Sequence, residues 1–427
     1  MEQPRGPLIV YANFFSDVAV DLSAHQVLLA WARQARRKIW LMRPGDVLLT
    51  PVPLSPEFTR YACDLLGVPA PTLTVITVPV TAGVPMAESL DRAGLTDTVR
   101  ALGAERPGAR LLPLALDSST VELAARLGLP VAPYGPEGVP PWAVEAVYRL
   151  NTKKGFRAAA AELGIRTAPG CVCDAQELVR TVSTMLHRYG EVVVKPDRSA
   201  GGHGLRFVSG AHSDWAASLA SPGAHPKGDW VVEQRLPDAR SVSVQMEALP
   251  SGPRALFTGE MHTVAGSYAG YVSPLDRATD IAAQELHHWG AALGRYLSAH
   301  GYAGPYGIDA LLASDGTLYA TESNVRRTAT TTPHAMVDRL CARAGVTPSA
   351  WLLGRRRSRL PLTFADALHL VQAEGLAWTP DRGEGVVLFA DSPDDERSWQ
   401  YAVIGADAGS TAKMQAALAG VMRFESE

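Results

Sequence analysis

Two groups of residues in this chain have the types and spacing to do chemistry. In Val192–Gly204, VVVKPDRSAGGHG, a β-branched run ends in Lys195 and breaks into a loop holding Ser199, Gly201, Gly202, His203 and Gly204. A lysine ending a buried strand is costly unless an anion meets its ammonium. Glycines just beyond it let backbone N–H groups approach that anion, because no Cβ intervenes. Lysine plus glycine loop therefore reads as a phosphate cradle. His203 is either a further phosphate contact or a loop residue that tolerates an unusual φ. Of 40 basic residues only six are Lys and 34 are Arg. A chain this short of lysine has reason to keep a compact ammonium at 195 rather than a planar fork.

The second group is Asp309 and, thirteen positions on, Glu322-Ser-Asn324. Tyr306–Ala313 and Thr317–Ser323 have the pattern of a hairpin joined at Ser314-Asp-Gly316. Glu322 and Asn324, two apart, then point to one face opposite Asp309. Two carboxylates and an amide oxygen are hard ligands that suit Mg²⁺, with Mn²⁺ as the alternative, and suit it best when phosphates complete the shell. Alone, an acidic pair on a hairpin is usually a solvated face. With the lysine–glycine loop upstream, the metal reading prevails.

These groups need elements to position them, and 427 residues are too many for one core, so two or three domains are expected. Apolar residues make up 47% and charged ones 19%, a globular composition. A net charge of −3 supplies no basic field for nucleic acid or anionic lipid. The chain has neither a signal pattern at its start nor a stretch long enough to span a membrane, so a cytoplasmic protein is expected. A homodimer is the default among oligomers. Four cysteines (63, 171, 173, 341) make no disulfide framework. Cys171 and Cys173 would share one strand face as small hydrophobes. The cluster Arg355, Arg356, Arg357 and Arg359 reads as a solvated linker.

The fold class is α/β and α+β multidomain. Residues 1–140 alternate short apolar runs (Leu8–Ala12, Ile39–Met42, Leu73–Val78, Leu111–Leu114, Pro130–Ala132) with helical patterns, as in an open parallel sheet. One such helix spans Ala24–Arg37, with Asp21 and Ser23 as candidate caps. The turn after the first strand lacks G-x-G-x-x-G, which disfavours a dinucleotide site. After the Gly- and Pro-rich junction Tyr134–Pro141 come helices over 152–163 and 175–189, and extended segments across 229–275. Within these, Met261–Tyr271 reads as either a substrate-facing or an ordinary surface loop. A long helix follows over 279–300, with His287 and His288 mid-helix and structural. Residues 351–427 form a small C-terminal α+β module.

The order of these pieces resembles the ATP-grasp superfamily of carboxylate–amine ligases, over about 150–345. Lys153 stands eleven positions before Gly164 in the turn Gly164-Ile-Arg-Thr-Ala-Pro169, Lys195 precedes the glycine loop, and Val231-Val-Glu233-Gln234-Arg-Leu236 fits a hinge strand. Asp309, Glu322 and Asn324 match the metal ligands, and Arg326 follows two positions later. The resemblance implies a pre-ATP-grasp domain over 1–140 and a two-lobed ATP-grasp fold over 141–350, its lobes spanning about 150–230 and 230–350. It implies ATP with Mg²⁺: Lys153 and Lys195 on the phosphates, Glu233, Gln234 and Leu236 at the adenine, and Arg326 and Arg327 on the reacting oxyanion. Lys154 would face solvent. Where many members have a ribose-binding carboxylate, this chain has Arg240, with Asp238 as the substitute. His334 and Arg339 are outside candidates for substrate contact.

Asn324-Val-Arg-Arg-Thr, the N-terminal domain and the C-terminal module look most like the pheganomycin-type peptide ligases. That implies an ADP-forming ligase that activates an amino-acid carboxylate as an acyl phosphate and transfers it to the amino group of an amino acid or peptide, in bacterial peptide natural-product biosynthesis. The alternatives are a non-catalytic ATP-binding scaffold and a biotin-carboxylase-like enzyme.

Overall fold

The computed structural model describes residues 6–18, 32–81, 83–199, 201–202, 204–210, 228–264, 267–276, 279–347 and 350–425. The strands β1 (Leu8–Tyr11), β2 (Val47–Thr50), β3 (Thr74–Thr77) and β4 (Arg110–Pro113) form a parallel sheet in the order β3-β2-β1-β4. Every residue of β1 and β2 is buried, so LIVY and VLLT are apolar but for Thr50 and do not alternate. Helices such as Pro56–Leu66, between β2 and β3, and Thr96–Ala104, between β3 and β4, make the crossovers.

Two N-terminal expectations are corrected. Ile39–Met42 is no strand: Ile39, Trp40 and Leu41 end a 3-10 helix, Arg33–Leu41, with Ile39 and Trp40 fully buried. Four apolar residues are too few for periodicity to separate the inner side of a helical turn from a strand. Pro130–Ala132 contributes a single bridge, Val131 to Leu111. The helix expected over Ala24–Arg37, with the caps Asp21 and Ser23, lies largely outside the described residues.

The second sheet is small and antiparallel. It orders β5 (Gly170–Asp174), β8 (Asp229–Gln234), β6 (Glu191–Pro196) and β7 (Arg206–Ser209) as β5-β8-β6-β7. Ahead of it runs helix α1 (Lys153–Glu162), and helix α2 (Leu178–Tyr189) lays Leu178 and Val182 against Val192, Val194, Trp230 and Val232. Cys173 joins that core, whereas Cys171 is exposed on the edge strand. The two cysteines therefore do not pack together as expected.

The third sheet has eight strands: β9 (Arg240–Leu249), β10 (Gly252–Val264), β11 (Ser267–Ser273), β12 (Gly304–Leu312), β13 (Leu318–Asn324), β14 (Ala350–Arg357), β15 (Gly385–Leu388) and β16 (Ser398–Gly405). Their order is β13-β12-β9-β10-β11-β14-β16-β15, every pairing antiparallel. Helix α3 (Asp280–Ala299) packs on it through Gly290, whose carbonyl accepts from Tyr306 Oη at 3.0 Å. His287 and His288 face outward on this helix and are exposed.

Two further expectations fail here. Met261–Tyr271 is largely strand, the facing halves of β10 and β11, and not a loop. Arg355–Arg357 ends β14, in the interior of the sheet, and is not a linker. Charge alone did not reveal that the apolar Trp351, Leu352 and Leu353 before it would be drawn into the core. The sheet thus runs on into the C-terminal residues. One core joins Val10, Trp40 and Phe58 near the N-terminus to Trp351, Phe364, Trp399 and Tyr401. Trp40 Nε1 donates to the Phe389 carbonyl at 2.8 Å, pinning the 3-10 helix to the C-terminal module. Among the described residues no helix is long and apolar enough to cross a membrane.

Candidate functional site

Where the three sheets meet, a cleft of about 1070 Å³ opens. Both chemical groups line it, and helix α1 holds them together. Thr152 caps α1 by accepting from the Gly155 N–H at 3.0 Å. The freed N–H groups of its first turn go to Asp197, from Lys153 N to the carbonyl at 3.0 Å and from Lys154 N to Oδ1 at 2.7 Å. Asp197 is two residues past Lys195, so the start of α1 and the end of β6 move as one unit.

Lys153 is buried, and its Nζ lies 3.0 Å from Glu322 Oε2 and 3.0 Å from Ser199 Oγ. Lys195, buried as well, makes a short ion pair with Glu233. Arg157 grips the other oxygen of Glu233 at 2.6 Å and also reaches the carbonyls of Ala168 and Gly170. Each oxygen of Glu233 therefore meets a cation, and its buried charge is compensated. Lys154 points outward as expected and pairs with Asp229 at 2.7 Å. Gly201, Gly202 and Gly204 all have positive φ, of 63°, 79° and 74°, which only glycine adopts without strain. Gly201 and Gly202 line the cleft, while His203 lies outside the described residues. The Gln234 N–H is spent on the Pro169 carbonyl at 2.8 Å, and Leu236 and the exposed Asp238 line the cleft.

The hairpin forms as expected, with Asp309 directly opposite Glu322 in β12 and β13. A register shift follows Asp309, and Asn324 Nδ2 donates to Asp309 Oδ2 at 2.9 Å. Burial and the neighbouring Glu322 charge push the Asp309 carboxyl up to about 7, against Arg326, Asn324 and Lys153. Burial also raises Glu322, but Lys153, Lys195 and Arg326 outweigh it and hold that carboxyl below its ordinary value. Two carboxylates forced together are a donor set that a hard divalent cation fits, because its charge relieves the repulsion, and Asn324 stands beside them. Among the described residues, no group of three His, Cys, Asp or Glu forms a separate metal nest.

Sequence reasoning missed several residues of the site. Asn151 is buried and accepts from Arg326 Nη1 in a short bond and from the Val325 N–H at 3.2 Å, fixing the arginine over the hairpin. Its only signal was its place two residues before Lys153. Asn151→Ala is expected to lower turnover about tenfold with unchanged nucleotide affinity, as read by steady-state kinetics beside calorimetry, because it releases Arg326 but no lysine. Glu260 also lines the cleft, held by Arg240 at 2.5 Å, and Arg240 pairs with Asp276 at 2.9 Å. The unexpected arginine at 240 thus brings a carboxylate with it. Arg327 lines the cleft, with its N–H donating to the Leu114 carbonyl at 2.9 Å. His334 and Arg339 do not line it: His334 lies tilted against Phe257 and pairs with Asp338, and Arg339 binds the carbonyls of Trp40 and Met42.

Residues 35–129 match the family model of the Pre ATP-grasp domain, and 366–418 match that of the PGM1 C-terminal domain. The structure superposes over 99% of its length on biotin carboxylase from Campylobacter jejuni, solved with an ATP analogue, covering 92% of that chain at a TM-score of 0.60 and 14% identity. The biotin carboxylase domain of the Hydrogenobacter thermophilus 2-oxoglutarate carboxylase, solved with MgADP and bicarbonate, gives 0.60 at 13% identity, with 99% of this chain and 91% of that one covered. N5-carboxyaminoimidazole ribonucleotide synthetase from Thermus thermophilus gives 0.57 at 16% identity, covering 97% and 98% of the two chains. The chain has the ATP-grasp fold. Comparison with curated protein sequences gives no match. Lys195 stands on the small antiparallel sheet and the Asp309–Glu322 hairpin on the eight-stranded one, and the Lys153–Glu322 pair bridges α1 to β13.

Proposed function

We propose that the chain is an ATP-dependent, ADP-forming carbon–nitrogen ligase, joining an amino-acid carboxylate to the amino group of an amino acid or peptide. The observation that carries this is the convergence of Lys153, Lys195, the positive-φ glycine loop and the Asp309–Glu322–Asn324 hairpin on one cleft. These groups match the needs of phosphoryl transfer, which are positioning and charge neutralisation more than covalent help. Mg²⁺ bound at the hairpin would neutralise phosphate charge. Lys153 and Lys195 would hold the phosphate oxygens, and the loop N–H groups would close over them. The carboxylate oxygen takes the γ-phosphoryl group and ADP leaves; the amine then attacks the acyl carbon and phosphate leaves. Arg326, aimed by Asn151, would stabilise the tetrahedral oxyanion, with Arg327 beside it.

Relatives solved with MgADP or an ATP analogue support the nucleotide assignment. The resemblance to pheganomycin-type peptide ligases points to peptide natural-product chemistry, and the segment matching the PGM1 C-terminal domain lies in the module that entered that comparison. The biotin carboxylase neighbours favour a second reading, ATP-dependent carboxylation. Incubating the protein with ATP, Mg²⁺ and mixtures of amino acids and dipeptides should release ADP and phosphate only when both an acid and an amine are present. AMP and pyrophosphate as products would exclude the acyl-phosphate route. Turnover that depends on bicarbonate instead would select carboxylation, and no turnover would leave the scaffold alternative.

A further inference from the structure

One corner of the cleft is lined by Arg37 and Lys38 of the N-terminal 3-10 helix, and it is cationic. Arg37 and Lys38, on the 3-10 helix, are both more than nine-tenths buried, with exposures of 8% and 4%. Arg37 lies 5.1 Å over the Phe389 ring and bonds Gln34; Lys38 lies 5.5 Å from the Phe14 ring and donates to Thr332 Oγ1 at 2.6 Å. Neither forms an ion pair with a carboxylate among the described residues. The charges that act on them, from Arg355 on β14 upon Arg37 and from Arg327 upon Lys38, are themselves positive. Burial and those neighbours hold the Lys38 ammonium well below its ordinary value. Lys38 also sits at the N-terminus of helix α4 (Thr331–Ala344), whose Ncap residue Thr330 makes no side-chain cap. Tyr268 on β11 lines the same cleft, and its hydroxyl is buried with no hydrogen-bond partner among the described residues.

Two buried cations, an uncapped helix end and an orphaned hydroxyl are costly together unless an anion satisfies them. We propose that the Arg37–Lys38–Tyr268 corner binds the free carboxylate of the amine-bearing substrate. The choice between substrates follows from charge. An amino-acid donor sends its carboxylate to the hairpin and carries an ammonium beside it, which this corner repels. An acceptor amino acid or short peptide presents its amine to the acyl group and has a free carboxylate left over. The corner adjoins the reacting end of the site, since Tyr268 feels the charge of Asp309 as well as that of Arg37. This inference rests on the ligase reading for the word substrate, but the binding it describes does not need nucleotide.

The test is calorimetric titration of the full chain, without nucleotide, with alanylalanine, alanylalanine amide and inorganic phosphate. The free dipeptide should bind at least about tenfold more tightly than the amide, as expected of hydrogen bonds between charged groups. Lys38→Met and Tyr268→Phe should each erase most of that preference. Tyr268→Phe loses no protein hydrogen bond, so its melting temperature should match wild type and its loss of preference cannot be ascribed to misfolding. Equal binding of acid and amide, no binding of either, or a preference that survives both variants would overturn the assignment. Phosphate binding more tightly than the dipeptide would also overturn it, in favour of a phosphate site. A protein that shows the preference but turns over no ATP would end the ligase reading and leave this corner standing as a carboxylate site.

Discussion

Glu322→Gln should lower ATP-dependent phosphate release about a thousandfold, roughly 4 kcal/mol of lost transition-state stabilisation. The substitution keeps the volume of the side chain and an oxygen that can still accept from Lys153, now 3.0 Å away. What it removes is the charge that both Lys153 and a divalent cation would use. Glu322 is the carboxylate of the pair held in its ionised form, so the loss falls on the better ligand. The change should appear in kcat, measured by phosphate release at saturating ATP, with the unfolding midpoint recorded alongside. Release at the wild-type rate would remove the metal role from the hairpin.

Lys195→Met should weaken ATP binding about a hundredfold, close to 3 kcal/mol, as expected for a lost charge-assisted contact to phosphate. The folding penalty should be small by comparison. Glu233 keeps Arg157 on its other oxygen at 2.6 Å, so no buried carboxylate is orphaned. The same reasoning makes the affinity effect specific to the ammonium, because the methionine fills the stem's space on β6. Calorimetry with ATP and Mg²⁺ separates the two, and unchanged affinity would show that Lys195 serves only Glu233.

Much of the site could be read along the chain because its parts are local. Lys195 and the glycines are one strand and its loop, and Asp309, Glu322 and Asn324 are one hairpin. Alternation, turn residues and glycine content act over a few residues, and each of these elements was recoverable from them. The failures share a cause. Ile39–Met42 was an apolar run too short to show its period. Arg355–Arg357 carried enough charge to look solvated, although the sheet needed the strand it ends.

The spacing of residue types thus determined that this chain holds a lysine-ended strand running into a glycine loop and a two-carboxylate hairpin, and that parallel and antiparallel layers carry them. Only the tertiary structure decided that Lys153 meets Glu322, that Glu233 is spent between Lys195 and Arg157, and that Asn151 aims Arg326. It alone brought Lys38 and Tyr268, 230 positions apart, to one corner of the cleft. Local patterns record what each segment can form by itself. The pairing of buried charges depends on which segments the cores bring together, and no short window of sequence holds that information.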